Sequence, residues 1–384
     1  MKIIFYPRDQ DGPGCYRCLY PAAQLSEQGG HIAKLGAHTV VHEQEDFVAI
    51  EYHLNSRLID ADLVVLAMPL DKEWNQFQQE LQAKGIKVVV ELDDDYLNLP
   101  DWNPAKRATS AANAKKGKPS IVNLIWALRH ADGVTVTTPA LRDSVEKVTD
   151  APIYVLRNFL DWRVWERRAP VYDDRSWQKL RIGYLGMAHW HSGDLQILNP
   201  WFGEWIAAHK DVEFVTCDGS LHDLLGIPED QRVTTSSFAF RHQEVADFAA
   251  CQDIGLVPLQ RHQFNEAKSH LKGMEYAGAG VPCIATPTES YAGWWLSGDS
   301  AGPEGAGFLA EGRAEWVSAL DRLHADPGLR VRMARKARAL AAQNTYQNHW
   351  RLWEQAYSEI LATGRARSYT HRTGKRADAF GVLV

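Results

Sequence analysis

The sequence predicts an α/β protein made of two doubly wound, Rossmann-like domains, and three observations support this prediction. Short apolar runs rich in Val and Ile alternate with helical segments, the alternation starts again near residue 180, and a charged stretch without apolar periodicity separates the two halves. Near-continuous apolar strands indicate a parallel sheet with helices on both faces. The chain of 384 residues also exceeds one typical hydrophobic core.

The first half contains a repeated strand-helix pattern that predicts an N-terminal domain over residues 1–160. The predicted strands are residues 2–5, 32–35, 62–67, 86–91, 133–136 and 153–156. The predicted helices are residues 18–28, 74–83, 121–130 and 139–148. This repetition is typical of a parallel, doubly wound sheet.

The second half repeats the pattern after a charged linker over residues 161–179. Its predicted strands are 181–185, 212–216, 232–236, 254–257, 282–285 and 306–309, with helices near 198–209, 243–250 and 268–278. We therefore predict a second domain over residues 180–345. Helices at 313–324 and 329–343 close it, a further helix follows over 346–363, and a basic tail covers 364–384.

Composition and charge exclude several classes of protein. A net charge of -6 argues against a generally basic nucleic-acid coat, and 45% hydrophobic residues favour a globular chain. No apolar run approaches the roughly 18 to 20 residues that span a bilayer, and the N-terminus lacks a signal-peptide pattern. The odd number of cysteines, five, indicates reduced thiols, so we expect a cytoplasmic protein. Cys15 and Cys18 have the Cys-x-x-Cys spacing of redox domains, but a domain of that kind would account for only a small part of this chain.

The most informative segment, residues 265–286, joins a charged helical stretch to a buried strand through a glycine turn. At about 100° per residue, Lys268, Lys272 and Glu275 share one helix face. Cations suit a diphosphate, and a carboxylate suits sugar hydroxyls. The alternative is a surface helix in which these residues form weak ion pairs.

This segment resembles the donor-binding helix of the large retaining glycosyltransferase family with the GT-B fold (glycosyltransferase family 4-like). In that family a Glu just before a Gly-x-Pro holds the nucleotide ribose, and here Glu275 precedes Gly280-Val281-Pro282. The family usually carries another Glu eight residues earlier, where this chain has Ala267 beside Glu266. The resemblance implies two domains facing across a cleft, with the C-terminal helix crossing back onto the first domain.

It also implies a nucleotide-diphosphate sugar, either a UDP- or a GDP-sugar, as co-substrate, with no cofactor and no metal. Lys268 and Lys272 would stabilise the leaving diphosphate. Two loops after the first strand of each domain supply further candidates for donor binding, namely Gly12, Gly14 and Arg17, and Gly186, His189 and Asp194. Glycine turns of this kind also occur as plain strand-to-helix connections. A metal site at His189, His191 and Asp194 would need an acid and a histidine that the sequence lacks.

Three adjacent carboxylates, Asp93, Asp94 and Asp95, follow a Val-rich strand at the predicted edge of the first sheet. One of them is expected to act as the general base on the acceptor hydroxyl if the enzyme inverts, whereas in a retaining reaction the leaving phosphate takes the proton. The alternatives are pairing with cations, metal binding and capping of the next helix.

A stretch over residues 105–118 carries five basic residues and no acid, and we expect a mobile loop on the acceptor side. These residues are Lys106, Arg107, Lys115, Lys116 and Lys118. Phosphates would be natural partners for them and for the basic tail.

The aspartate triplet, with Asn103-Pro104 and Tyr16-Arg17, resembles phage-encoded GT-B enzymes that modify DNA. This resemblance implies duplex DNA as a partner, with a flipped 5-hydroxymethylpyrimidine as acceptor. The alternatives are a transferase for cell-surface polysaccharide or lipid-linked glycan, an epimerase of the same fold, and a non-catalytic binder of DNA or nucleotide sugars.

Overall fold

Two parallel sheets of six strands and one two-stranded ribbon make up the β-structure of the computed structural model, which describes residues 1–9, 12–44, 47–166, 178–187, 193–235 and 242–363. The strands are β1 (Lys2–Tyr6), β2 (Ile32–Leu35), β3 (His38–Gln44), β4 (Phe47–Tyr52), β5 (Leu63–Ala67), β6 (Lys87–Leu92), β7 (Gly133–Val136), β8 (Ile153–Val155), β9 (Leu180–Tyr184), β10 (Val212–Thr216), β11 (Arg232–Thr234), β12 (Ile254–Val257), β13 (Cys283–Ala285) and β14 (Gly307–Leu309).

The strand order confirms the predicted fold class. The first sheet runs β2-β1-β5-β6-β7-β8 and the second β11-β10-β9-β12-β13-β14. All pairs in both sheets are parallel, and the second sheet has the Rossmann order with its reversal between β9 and β12. The antiparallel ribbon of β3 and β4 was not predicted, because it pairs only with itself and lacks the long apolar runs of buried strands.

Helices fill the connections of both sheets. In the first half they are Tyr20–Glu27, Lys72–Ala83, Pro104–Ala108, Ala111–Ala114, Ile121–His130, Pro139–Val145 and Trp162–Trp165, with a π-helical turn at Cys15–Leu19. In the second half they are Trp201–Ala208, Ser220–Leu224, His242–Ala250, Gln263–Glu266, Leu271–Gly278, Gly312–Ala325, Pro327–Gln343, Tyr346–His349 and Arg351–Ala362.

Two of the local predictions were wrong. The segment expected to be a mobile loop contains two short helices, because Asn103 caps the first of them and Pro104 occupies its first turn. The helix expected over 268–278 begins only at Leu271. Lys268 therefore lies in the turn before it, where the Lys268 carbonyl accepts a hydrogen bond from Ser290 Oγ at 2.6 Å.

The last helix, Arg351–Ala362, packs on the first sheet, as expected for the C-terminal crossing of a GT-B fold. The ring of Tyr357 lies 6.0 Å from that of Phe5 on β1. A Cβ at Gly133 on β7 would come within 2.5 Å of the Ile360 side chain, so glycine lets the helix pack close to the strand. One continuous apolar cluster includes Phe5 and, from the second domain, Met274.

Two predicted regions fall partly or wholly outside the described residues. Of the linker, residues 167–177 are not described, and its N-terminal part forms the short helix Trp162–Trp165. The basic tail over 364–384 also lies outside them. Among the helices that are described, none is long and apolar enough to cross a membrane.

Candidate active site

The two sheets direct the carboxyl ends of their strands towards a common cleft, where parallel α/β domains bind ligands. Hydrogen bonds join the two sides of this cleft. Thr138 Oγ1 of the first domain donates to the carbonyl of Ala267 at 2.8 Å, and Asn158 Nδ2 donates to Ser269 Oγ at 3.0 Å. The segment expected to bind the donor is therefore in direct contact with the first domain.

Lys272 forms the cationic part of the site on the second domain. Its Nζ lies 3.2 Å from Tyr184 Oη, at the end of β9, and 4.3 Å from the centroid of that ring. Burial, together with the nearby Lys268 ammonium, lowers the pKa of Lys272 to about 8. A Cβ at Gly186 would lie 3.2 Å from this Nζ, so glycine lets the loop backbone approach the ammonium. Such a desolvated cation beside open backbone suits a phosphate.

Glu275 lies on the same helix three residues after Lys272 and is only 8% exposed. Its Oε1 accepts a hydrogen bond from the Tyr16 hydroxyl at 2.9 Å, which reaches it from the first domain. Burial raises the pKa of Glu275 to about 7, against the opposing effects of the Tyr16 hydrogen bond and of Lys272.

Lys268 reaches across the cleft from the turn before the helix. Its Nζ lies 3.4 Å from Asp94 Oδ1 and 4.4 Å from the centroid of the Phe264 ring. Burial alone would lower the pKa of Lys268, but Asp94 and Asp194 outweigh it and raise the pKa. The second predicted cation is thus held charged by a carboxylate of the first domain.

Asp194, predicted to bind the donor, has an internal role in the structure. The carboxylate is fully buried and accepts hydrogen bonds from the backbone amide of Gln260, at 3.1 Å, and from Asn265 Nδ2. It shapes the loop beneath the two lysines and supplies them with negative charge. His189, predicted beside it, lies outside the described residues.

Position 267, where the family resemblance leads one to expect an acid, is occupied by alanine, and the neighbouring Glu266 does not take the place of that acid. Ala267 is 1% exposed and is packed against apolar residues of the first domain. Glu266 turns away, because it forms an ion pair of 2.5 Å with Arg261 and accepts the backbone amide of Glu289. Neither residue 267 nor residue 266 therefore presents a free carboxylate to a donor sugar.

A cavity of about 80 Å³ lies at the carboxyl edge of the first sheet, below the cleft. It is lined by Arg8, Pro13, Gly14, Arg17, Ala67, Met68, Glu91, Asp93, Asp94 and Tyr96. Burial, with the adjacent Asp94, raises the pKa of Asp93 to about 7. A carboxyl group with such a pKa beside a cavity is suited to accept a proton near neutral pH.

The three aspartates of the triplet have different environments. Asp94 pairs with Lys268, and Asp93 lines the cavity. Asp95 is fully buried and caps the following helical turn, where it accepts hydrogen bonds from the Leu97 amide and from Ser144 Oγ. The capping alternative is therefore realised by Asp95, and its carboxylate is not open to a substrate.

Arg17, predicted to bind the donor, lies on the first-domain side of the cleft, where it lines the cavity. It is 2% exposed, pairs with Glu91 at 2.7 Å and donates to Asn158 Oδ1 at 2.8 Å. Gly14 is required by the preceding turn, because a Cβ there would overlap the carbonyl of Asp9. Gly12 has open space around its Cα, so packing does not demand glycine there.

The predicted acceptor cations all lie on the surface, two on the first short helix and three in the segment that follows the second. The exposed residues are Lys106, Arg107, Lys115, Lys116 and Lys118. Lys106 pairs with Asp101 at 2.6 Å, and this ion pair partly neutralises the Lys106 ammonium. Ala105 of the same helix packs with Phe264 of the second domain, so the basic surface adjoins the cleft.

Sequence reasoning missed two aromatic residues of the cleft and attached no role to a third, Tyr16. Tyr184 contacts the Lys272 ammonium. Trp102 lies so close to Gly193 that a Cβ there would be 2.4 Å from the indole. Two features of the sequence could have indicated these residues. Tyr184 lies at the end of a predicted strand, and Trp102 follows shortly after the acidic triplet.

Two facing Rossmann-like domains with a C-terminal crossing helix define the GT-B fold, and comparison with known proteins agrees. Residues 215–355 match a family described as glycosyl transferase-like. The chain is similar in structure to sucrose-phosphate synthase from Thermosynechococcus elongatus, with 13% identity, 95% of this chain and 100% of that chain covered, and a TM-score of 0.62. The sequence matches no curated protein.

A second similar structure is Anabaena HepE in complex with UDP-glucose, with 14% identity, 93% of this chain and 100% of that chain covered, and a TM-score of 0.57. At such identities the likeness establishes the fold alone. The structural likeness confirms the predicted GT-B fold, and the match over residues 215–355 supports the predicted class of enzyme, a glycosyltransferase.

Proposed function

We propose that this protein transfers a sugar from a UDP-sugar to a hydroxyl group of an acceptor. The observation that carries the proposal is the placement of Lys272 and Glu275 on one helix beside β9, opposite the carboxylates of Asp93 and Asp94. The cation suits the diphosphate and the carboxylate suits the ribose. The similar HepE structure contains UDP-glucose, which favours uridine as the base.

In the proposed reaction the bond between the anomeric carbon and the diphosphate oxygen breaks, and a bond from the acceptor oxygen to that carbon forms. Lys272 and Lys268 offset the negative charge that develops on the leaving diphosphate, a role that needs no metal. Asp93 accepts the proton of the acceptor hydroxyl in an inverting displacement. In a retaining reaction the leaving phosphate accepts it instead.

The acceptor we favour is a 5-hydroxymethylpyrimidine in duplex DNA. Five exposed cations adjoin the cleft and would contact phosphates. The cavity beside Asp93, about 80 Å³, is smaller than the ~150 Å³ that encloses benzene. A hydroxymethyl arm therefore fits the cavity in this arrangement of the domains, whereas the pyrimidine ring would remain in the cleft above it.

The test is incubation with duplex DNA containing 5-hydroxymethylcytosine and a panel of UDP- and GDP-sugars, followed by mass spectrometry of the nucleosides. We expect a gain of one hexose that is lost in Lys268→Ala and Glu275→Gln and kept in Lys336→Ala, an exposed lysine of the second domain. Nucleotide binding without any gain in mass would exclude the DNA acceptor and direct the search to glycan or lipid acceptors. No binding of any nucleotide would refute the transferase proposal itself.

A further inference from the structure

Among the described residues, Tyr16 makes the only hydrogen bond to the Glu275 side chain, and it does so across the domain boundary. Its hydroxyl donates to Oε1 at 2.9 Å. Tyr16 is 1% exposed and lies in the π-helical turn Cys15–Leu19. Glu275 Oε2 accepts no bond from the described part of the chain and is not enclosed, so it is left for a ligand.

The position of Tyr16 is held by a third element, the C-terminal crossing segment. The Tyr346 hydroxyl donates to the backbone carbonyl of Tyr16. The Tyr16 ring packs edge-on against Tyr20 at 5.7 Å, and the Tyr20 ring in turn lies 5.7 Å from that of Tyr346. Single π-helical turns occur often at functional sites. This turn points Tyr16 out of the first domain while its backbone stays fixed.

We propose that Tyr16 is a positioning residue that holds Glu275 in the orientation that receives the nucleotide ribose, and thereby couples donor binding to closure of the two domains. The inference rests on the proposed function. An ionised carboxylate in a buried site is costly without a donor, and a hydroxyl on Oε1 removes part of that cost. Because the hydroxyl belongs to the first domain, the ribose site is complete only when the domains are together.

The titration of Glu275 makes this role measurable. Among the described residues, Glu275 interacts with one cation, Lys272 on its own helix. The other titratable groups that interact with it are tyrosines: Tyr16 and Tyr20 of the first domain, and Tyr276 and Tyr291 of the second. Removal of the Tyr16 hydroxyl takes away a hydrogen bond that favours the ionised form, so the pKa of Glu275 will rise above about 7.

The experiment compares UDP binding by calorimetry, between pH 6 and pH 9, in the full-length protein and in Tyr16→Phe. We expect about tenfold weaker binding by the variant near pH 7, because a hydrogen bond to a charged group is lost. The difference in UDP affinity should narrow as the pH rises towards 9, because the ionised fraction of Glu275 increases in both proteins. On the acidic side, the decline of UDP affinity with falling pH (the acidic limb) should begin at a higher pH in the variant.

The matched control is Tyr357→Phe, because Tyr357 is also fully buried and its hydroxyl has no partner among the described residues. It should bind UDP like the parent protein. Equal binding by Tyr16→Phe, or weaker binding by the same factor at every pH, would overturn the inference. Failure of the parent protein to bind UDP would instead count against the proposed function.

A second variant keeps the inference testable if Tyr16→Phe does not fold. Glu275→Gln keeps an oxygen for Tyr16 but removes the titrating group. It should bind UDP more weakly than the parent protein and lose the acidic limb between pH 6 and pH 7.5. Retention of that limb would show that another group titrates and would overturn the inference.

Discussion

Replacement of Lys272 by Met tests the phosphate site most directly, because Met keeps the aliphatic length that packs on the Tyr184 ring and removes only the ammonium. A charge-assisted hydrogen bond contributes about 1.5 to 3 kcal/mol, which corresponds to roughly 10- to 150-fold in Kd. With a pKa of about 8, roughly three quarters of Lys272 is charged at pH 7.5. Lys268 remains, so we expect a loss near the lower end, about 10- to 30-fold.

The assay is calorimetric titration with UDP at pH 7.5 and low salt, with uridine as a second ligand. Uridine lacks the diphosphate, so the substitution should leave its affinity unchanged. Lys336→Met, at an exposed position of the same domain, is the control for a general loss of charge. A change in UDP affinity below threefold, or an equal loss for uridine, would refute the assignment of Lys272 to the diphosphate.

Three further predictions concern the reaction. First, kcat/KM will fall below about pH 7, because Glu275 and Asp93, whose pKa values are raised, gain protons there. It will also fall above about pH 8, because Lys272, whose pKa is lowered, loses its proton. A kcat/KM that does not change between pH 6 and pH 9 would contradict this prediction. Second, Asp93→Asn will lower kcat by about 100-fold or more with UDP affinity kept; an unchanged kcat would point to a retaining reaction. Third, Gly193→Leu will reduce activity about tenfold, because a Cβ there would lie 2.4 Å from the Trp102 ring, whereas Gly219→Leu, whose Cβ has 3.6 Å of space, should stay active.

The elements that carry the fold were predictable because their signals are local. Strands such as β10 and β12 are uninterrupted apolar runs, and their predicted bounds agree with the structure. The ribbon of β3 and β4 was not predicted because it does not belong to either six-stranded sheet. The start of the donor-site helix was predicted wrongly because tertiary hydrogen bonds set it. One of them joins Ser290 to the Lys268 carbonyl and competes with continuation of the helix.

For the site, chemistry alone could not distinguish among equivalent residues. The sequence presents Asp93, Asp94 and Asp95 as three adjacent carboxylates, and only the fold assigns them to a cavity, an ion pair and a helix cap. Likewise, Arg17 follows a glycine turn, as a phosphate ligand would, but its guanidinium pairs with Glu91, which is 74 residues away in the chain.

The sequence by itself determined the two Rossmann-like domains and the helix that carries Lys272 and Glu275, because periodicity and strand composition are encoded within short segments. The class of enzyme followed from the resemblance of that helix and of the Gly280-Val281-Pro282 turn to a known family. Only the tertiary structure decided which groups meet in the cleft. The contact of Tyr16 with Glu275 joins residues 259 positions apart, and the pKa of each depends on burial that both domains create. Such pairings depend on how the two sheets pack, and no local pattern records that packing.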